Sequence, residues 1–121
     1  MATNTRIIKG KYFSVSPVAL LCKPEIFFHN KRTICEIINP KIENYLYLEV
    51  GATLVGSIVQ TYRSDSLVKK GDEKGYFRFG GSTVIIIFKK GRIVFDKDLV
   101  ENTNNNLETA ISMGESIGKI Q

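Results

Sequence analysis

Gly80-Gly-Ser-Thr-Val-Ile-Ile-Ile-Phe88 is the stretch that sets the fold class. Val84 to Phe88 is the longest purely apolar run in the chain, and four of its five residues are β-branched. It falls far short of the roughly 20 residues a membrane span needs. With no polar residue inside it, the run predicts a strand buried on both faces. The two glycines ahead of it have a second consequence. Glycine adopts backbone angles closed to other residues, so strain can be held there. The carbonyl of Gly81 is thereby open to the Ser82 side chain, which suits a rare chemistry in which a serine attacks its own preceding peptide bond. Gly-Gly-Ser-Thr is also a common loop sequence, and the tetrapeptide alone does not choose between the two.

Outward from this segment, strand signals dominate. Arg32-Thr-Ile-Cys-Glu-Ile-Ile38 and Tyr45-Leu-Tyr-Leu-Glu-Val50 are rich in β-branched and aromatic residues and bounded by Asn, Pro or Gly. Ala52 to Thr61 continues the pattern, with Gly56 marking a bulge or a close backbone approach. Tyr76-Phe-Arg-Phe79 alternates aromatic and basic residues. Core packing is the plainer role for these aromatics, a stacking platform the alternative. Lys89-Lys-Gly-Arg92 reads as a hairpin turn into Ile93-Val-Phe95, with Gly91 supplying the unusual backbone angle. Asn102 to Leu107 reads as a polar loop, and Leu107 to Ile117 as a turn or two of helix at most.

The chain also echoes itself. Val68-Lys-Lys-Gly-Asp-Glu-Lys-Gly-Tyr-Phe77 and Ile111-Ser-Met-Gly-Glu-Ser-Ile-Gly-Lys-Ile120 share one pattern. Both run apolar, two spacers, Gly-acid, two spacers, Gly, one spacer, apolar. This looks like the turn-strand unit of barrel-sandwich folds of the lipoyl and biotinyl type. The expected fold is therefore mainly β, a compact barrel-sandwich-like domain with little helix. A carrier role is not expected, because the tip Lys89-Lys90-Gly91 lacks the motif of a modified lysine.

At 121 residues, 43% hydrophobic and 24% charged, the chain has the composition of one globular domain. Seventeen basic residues against twelve acidic ones give +5, which favours anionic partners: nucleic acid, phosphorylated ligands or an anionic membrane face. Lys69-Lys70, Lys89-Lys90 and Arg92 are the local clusters. Met1 to Arg6 holds no apolar segment of the signal-peptide kind, so a cytoplasmic location is expected. Cys22 and Cys35 read as reduced thiols. With His29 they lack the spacing and the fourth ligand of a zinc site, and no metal is expected.

Four segments, in order, carry a resemblance. They are Gly10-Lys-Tyr-Phe-Ser-Val-Ser-Pro-Val-Ala-Leu20, Asn30-Lys-Arg32, Val50-Gly-Ala-Thr-Leu-Val-Gly-Ser-Ile58 and Lys70 to Thr83. Together they resemble the C-terminal part of phosphatidylserine decarboxylases, pyruvoyl-dependent membrane enzymes. The resemblance implies self-cleavage between Gly81 and Ser82, leaving a β-chain-like segment 1–81 and an α-chain-like segment 82–121 of a single domain. It implies a pyruvoyl group formed covalently from Ser82, with Gly80 and Thr83 beside it, and Ser82 as the Schiff-base site for phosphatidylserine. The product would be phosphatidylethanolamine. A cytoplasmic protein peripheral at an anionic membrane surface is expected, with no nucleic acid as partner.

In the family an upstream region supplies a membrane-associating segment, an aspartate and a Tyr-His-x-x-His stretch. This chain begins instead with Met1-Ala-Thr-Asn-Thr-Arg6, so a missing upstream polypeptide, or a homo-oligomer, is an expected partner. His29 does not match those histidines and reads as a surface or packing residue. Gly56-Ser57 is a second Gly-Ser pair, followed by Ile58 rather than Thr, and reads as structural. Ser14 and Ser16, before Pro17, read as turn chemistry. The competing reading is a non-catalytic basic β-barrel module that binds anionic lipid or nucleic acid.

Overall fold

A computed structural model describes residues 1–53, 57–79 and 82–121. Its strands are β1 (Arg6–Ile8), β2 (Arg32–Ile37), β3 (Tyr45–Val50), β4 (Ile58–Gln60), β5 (Gly75–Phe77), β6 (Thr83–Ile87), β7 (Ile93–Phe95) and β8 (Gly118–Ile120). Three short helices accompany them: α1 (Pro17–Cys22), α2 (Ile26–His29) and α3 (Lys97–Asn104). The mainly β expectation holds. Among the described residues the strands form one open sheet and two ribbons rather than a closed barrel.

The open sheet is antiparallel, in the order β1-β2-β3-β6. Its centre is the β2–β3 pair, two segments expected as strands from composition, running from Arg32↔Val50 to Ile37↔Tyr45. β6 lies at the sheet edge, paired among the described residues with β3 alone. The expected two-sided burial is therefore wrong. Val84, Ile86 and Ile87 are exposed, because among the described residues the strand has a sheet neighbour along one side alone.

The sequence echo is a structural repeat. β4 pairs with β5, and β7 with β8, in the same antiparallel register. Each second strand is entered through a tight turn whose glycine, Gly71 or Gly114, takes a positive φ of 93° or 85°. That conformation suits glycine, which has no Cβ to clash. In each turn the following acid reaches back. Asp72 accepts from the Lys69 amide at 2.7 Å, and Glu115 from the Ser112 amide at 2.7 Å. At the second glycine of each unit the partner strand lies too close for a side chain: a Cβ on Gly75 or Gly118 would sit 2.2 or 2.5 Å from the carbonyl oxygen of Val59 or Val94.

Three other expectations are corrected. Lys89 to Arg92 does turn, and Gly91 has φ +76°, but it is not a β-hairpin. β6 leaves for the sheet and β7 for its ribbon. Glu43, which pairs with both Lys89 and Arg92, fixes the turn instead. The polar stretch read as a loop from Asn102 is the end of α3, whose Leu99, Val100 and Thr103 line an apolar groove with Phe95. Tyr76 and Phe79 are exposed rather than in the core, since the β4–β5 ribbon turns one face to solvent. The reading of Gly56 as a bulge falls outside the described residues.

A small core gathers where the N-terminus crosses the sheet. Ala2, Cys35 and Ile37 are buried there, with Tyr45, Tyr47, Tyr62 and Val68 packed around them. Beside it, Glu49 is buried and one of its oxygens takes three partners. Its Oε2 accepts from Thr33 at 2.5 Å, Gln60 at 2.7 Å and Lys74 at 2.9 Å. The Lys74 ammonium also lies 5.1 Å from both the Tyr47 and Tyr62 rings. Charge, hydrogen bonds and aromatic faces thus bolt the β4–β5 ribbon to the sheet.

Candidate functional site: a cleft at Ser82

The Val50↔Thr83 pair is the last of the β3–β6 ladder, so Ser82 emerges beside Gly51 at the end of the sheet. A cleft of about 380 Å³ opens there, lined by Ser14, Val15, Ser16, Ala52, Thr53, Ser82, Thr83 and Glu108. Such a volume lies within the usual range of small-molecule sites, about 300–1,000 Å³.

Two staples hold its walls. Asn30 is completely buried. Its Oδ1 accepts from the Phe13 amide at 2.9 Å, and its Nδ2 donates to the carbonyls of Phe13 and Gly51, each at 2.8 Å. The Thr53 hydroxyl donates to the Tyr12 carbonyl at 2.8 Å. One wall, residues 14–16, continues from Phe13, and the other, residues 52–53, from Gly51. A single side chain therefore sets the spacing of both. Ser16 also caps α1, accepting from the Ala19 amide at 3.4 Å, and Ser14 accepts from the Ser16 amide at 3.2 Å. Their expected turn chemistry is present, and both hydroxyl residues face the cleft as well.

At the centre is an anomaly. The Ser82 hydroxyl oxygen is buried and has no hydrogen-bond partner among the described residues. An unsatisfied buried polar atom costs on the order of 1–3 kcal/mol, and natural structures rarely keep one without a reason. Just upstream, Phe79 sits in the left-handed region at φ +66°, a conformation that costs a bulky side chain about 1–2 kcal/mol. Its ring is exposed and gains no packing in return. Strain thus flanks the candidate bond on its N-terminal side. Gly80 and Gly81, the other two residues singled out from sequence, lie outside the described residues; Thr83 opens β6 and lines the cleft.

The remaining candidates sit elsewhere. His29 is exposed at the end of α2 and does not line the cleft. Cys22 is an exposed free thiol; Cys35 is a buried one, donating to the Thr3 carbonyl at 3.3 Å. Glu108, the one ionisable group among the described residues lining the cleft, was missed, as was Asn30 as its fastener. Asn30 appears in the sequence only as part of a matching segment. Glu108 carries no local signal at all.

Fold and cleft together define a mainly β protein with a buried serine hydroxyl, unpartnered among the described residues, at the head of an edge strand. Comparison with known proteins then gives the family. Residues 1–119 match the phosphatidylserine decarboxylase family model, and the chain belongs to that family. It is 50% identical over 111 residues to a phosphatidylserine decarboxylase proenzyme of Clostridium novyi, which covers 92% of this chain and 38% of the relative. It is 51% identical over 119 residues to one of Chlamydia caviae (98% and 40%), and 53% identical over 114 residues to one of Clostridium kluyveri (94% and 38%). The chain thus spans about two-fifths of the length of these curated relatives. No solved structure matches it.

Proposed function

We propose that this chain carries the maturation site and the pyruvoyl-forming serine of a phosphatidylserine decarboxylase. The observation that carries the proposal is the Ser82 hydroxyl at the cleft, buried and without a partner among the described residues. With no hydrogen-bond partner among the described residues, the hydroxyl keeps its lone pairs for attack on the Gly81 carbonyl. That attack moves the acyl group from nitrogen to oxygen and gives an ester. Removal of the Ser82 α-proton then expels the Gly81 carboxylate, which ends segment 1–81. Water replaces the nitrogen left on residue 82, releasing one ammonia and leaving a pyruvoyl group at the head of segment 82–121. Residue 82 fits that group, since the same buried position would hold it, facing a cleft large enough for a lipid head group.

When formed, the pyruvoyl carbonyl supplies the electron sink that decarboxylation of phosphatidylserine requires. The chain's own residues do the rest. Thr83 anchors residue 82 on the sheet, and Asn30 and Thr53 hold the walls apart. Glu108 contributes a carboxylate facing the ammonium of the substrate's serine. Ser14 and Ser16 offer hydroxyls to its polar head. A serine hydroxyl of ordinary acidity is a poor nucleophile without a base. In this reading the base comes from the part of the relatives' length that this chain does not span.

The test is a chimera in which this chain replaces the matching region of the Clostridium kluyveri relative. The expected outcome is cleavage together with release of carbon dioxide from phosphatidylserine, both abolished by Ser82→Ala. An uncut, inactive chimera beside an active parent overturns the proposal. The 121-residue chain alone is expected to stay uncut.

A further inference from the structure

The net charge of the protein is confined to one region. Residues 6–32 hold six basic side chains, Arg6, Lys9, Lys11, Lys23, Lys31 and Arg32, against Glu25 alone. The other 94 residues carry eleven charges of each sign. That region also exposes large apolar side chains. Val18 and Leu21 of α1 are 72% and 74% exposed, and Phe28 of α2 is 76% exposed. Val18 and Leu21 stand three residues apart, hence on one helix face. The cations sit among the aromatics of the same corner. Lys11 and Lys23 lie 5.3 and 5.8 Å from the Phe13 ring, and Lys31 lies 6.0 Å from the Tyr12 ring. The Arg32 guanidinium donates to the Phe28 carbonyl at 2.7 Å.

From this juxtaposition we infer that the α1–α2 corner docks onto an anionic lipid bilayer. Aliphatic tips among lysines match the membrane interface, where apolar side chains enter the acyl boundary and cations meet anionic head groups. A second copy of the chain fits poorly, because it would press this cationic region against its like. Nucleic acid would be read by stacking rings; Val18 and Leu21 offer none, and Phe28 is the one ring of the corner more than half exposed. Ser14 and Ser16, directly before α1, form one wall of the Ser82 cleft. A bilayer at this corner therefore brings lipid head groups to the cleft mouth, a step that rests on the proposed lipid substrate.

The test is sedimentation of the 121-residue chain with phosphatidylcholine vesicles, with or without phosphatidylglycerol, an anionic lipid that lacks the serine head group. The chain is expected to bind the anionic vesicles, release them at high salt and bind neutral ones weakly. Val18→Asp with Leu21→Asp should lower binding by about tenfold or more, and Lys11→Gln with Lys23→Gln by several-fold. All four positions are on the surface, and an unchanged circular dichroism spectrum confirms that the variants fold.

Equal binding to neutral vesicles overturns the inference, as does binding untouched by both pairs of substitutions. Binding only to phosphatidylserine would move recognition to the cleft. Loss of self-association in the Asp variant with vesicle binding intact would give the face to a second copy. Salt-sensitive binding of an oligonucleotide, lost in the Lys variant while vesicle binding persists, would give it to nucleic acid. Vesicle binding is read without cleavage or decarboxylation, so either proposal can fail while the other stands.

Discussion

At the residue scale, Asn30 and Ser82 make opposite use of burial. Asn30 satisfies three backbone groups from inside the protein; the Ser82 hydroxyl has no partner among the described residues. Asn30→Ala would leave the Phe13 amide and carbonyl and the Gly51 carbonyl without their partner, at a cost on the order of 2–4 kcal/mol. Urea denaturation of the chain measures that loss. Asn30→Asp should cost at least as much as the alanine change, since it sets a buried carboxylate against the Phe13 and Gly51 carbonyls, which need a donor. A clearly smaller loss for the aspartate variant would show that the two donated bonds do not set the role of Asn30. Ser82 was singled out as a candidate because its two glycines and its strand are contiguous in sequence. Asn30 was not, because its partners lie 17 and 21 residues away and no local pattern announces them.

At the element scale, the doubled ribbon was legible for a definite reason. A positive-φ glycine followed by a carboxylate that returns to an amide three residues back is a local device, so spacing alone reveals it. Asp72→Ala and Glu115→Ala each delete one such bond and should destabilise by about 0.5–2 kcal/mol, by analogy with helix caps. Because they act in separate ribbons, the double variant should show the sum of the two losses. A thermal melt of each variant checks both points. The elements that were misread depend on distant partners. α3 ends in Asn-rich sequence of poor helix propensity, yet the groove it forms with Phe95 and its Lys97–Glu101 pair, at 3.2 Å, hold it. β6 has the composition of a central strand, and only the sheet order makes it an edge.

At the scale of the whole molecule, the small core makes stability depend on three tyrosines. Burial raises the pKa of Tyr45, Tyr47 and Tyr62. Negative charge adds to this, from Cys35 at Tyr45 and from Glu49 at Tyr47. At Tyr62 the hydrogen bond with Cys35 adds to it. The folded chain therefore keeps protons that the unfolded chain releases near the ordinary tyrosine value of about 10. Their contribution is fully present below that pH and declines as pH rises through the raised values. Thermal stability should fall as the pH rises above about 10, and Tyr45→Phe, which removes one such proton, should flatten the fall. An unchanged slope in that variant would exclude Tyr45 from the effect.

No helix among the described residues is long and apolar enough to cross a membrane. Contact with lipid, as proposed, belongs to the α1–α2 corner and the Ser82 cleft. The central claim is that Ser82 becomes the reactive group, and the mass of the C-terminal fragment from the chimera tests it most directly. The expected fragment begins at position 82 and is lighter by one ammonia than the same fragment with an N-terminal serine. A fragment beginning with intact serine, a cut between Gly56 and Ser57, or no cut at all beside a processed parent would contradict it.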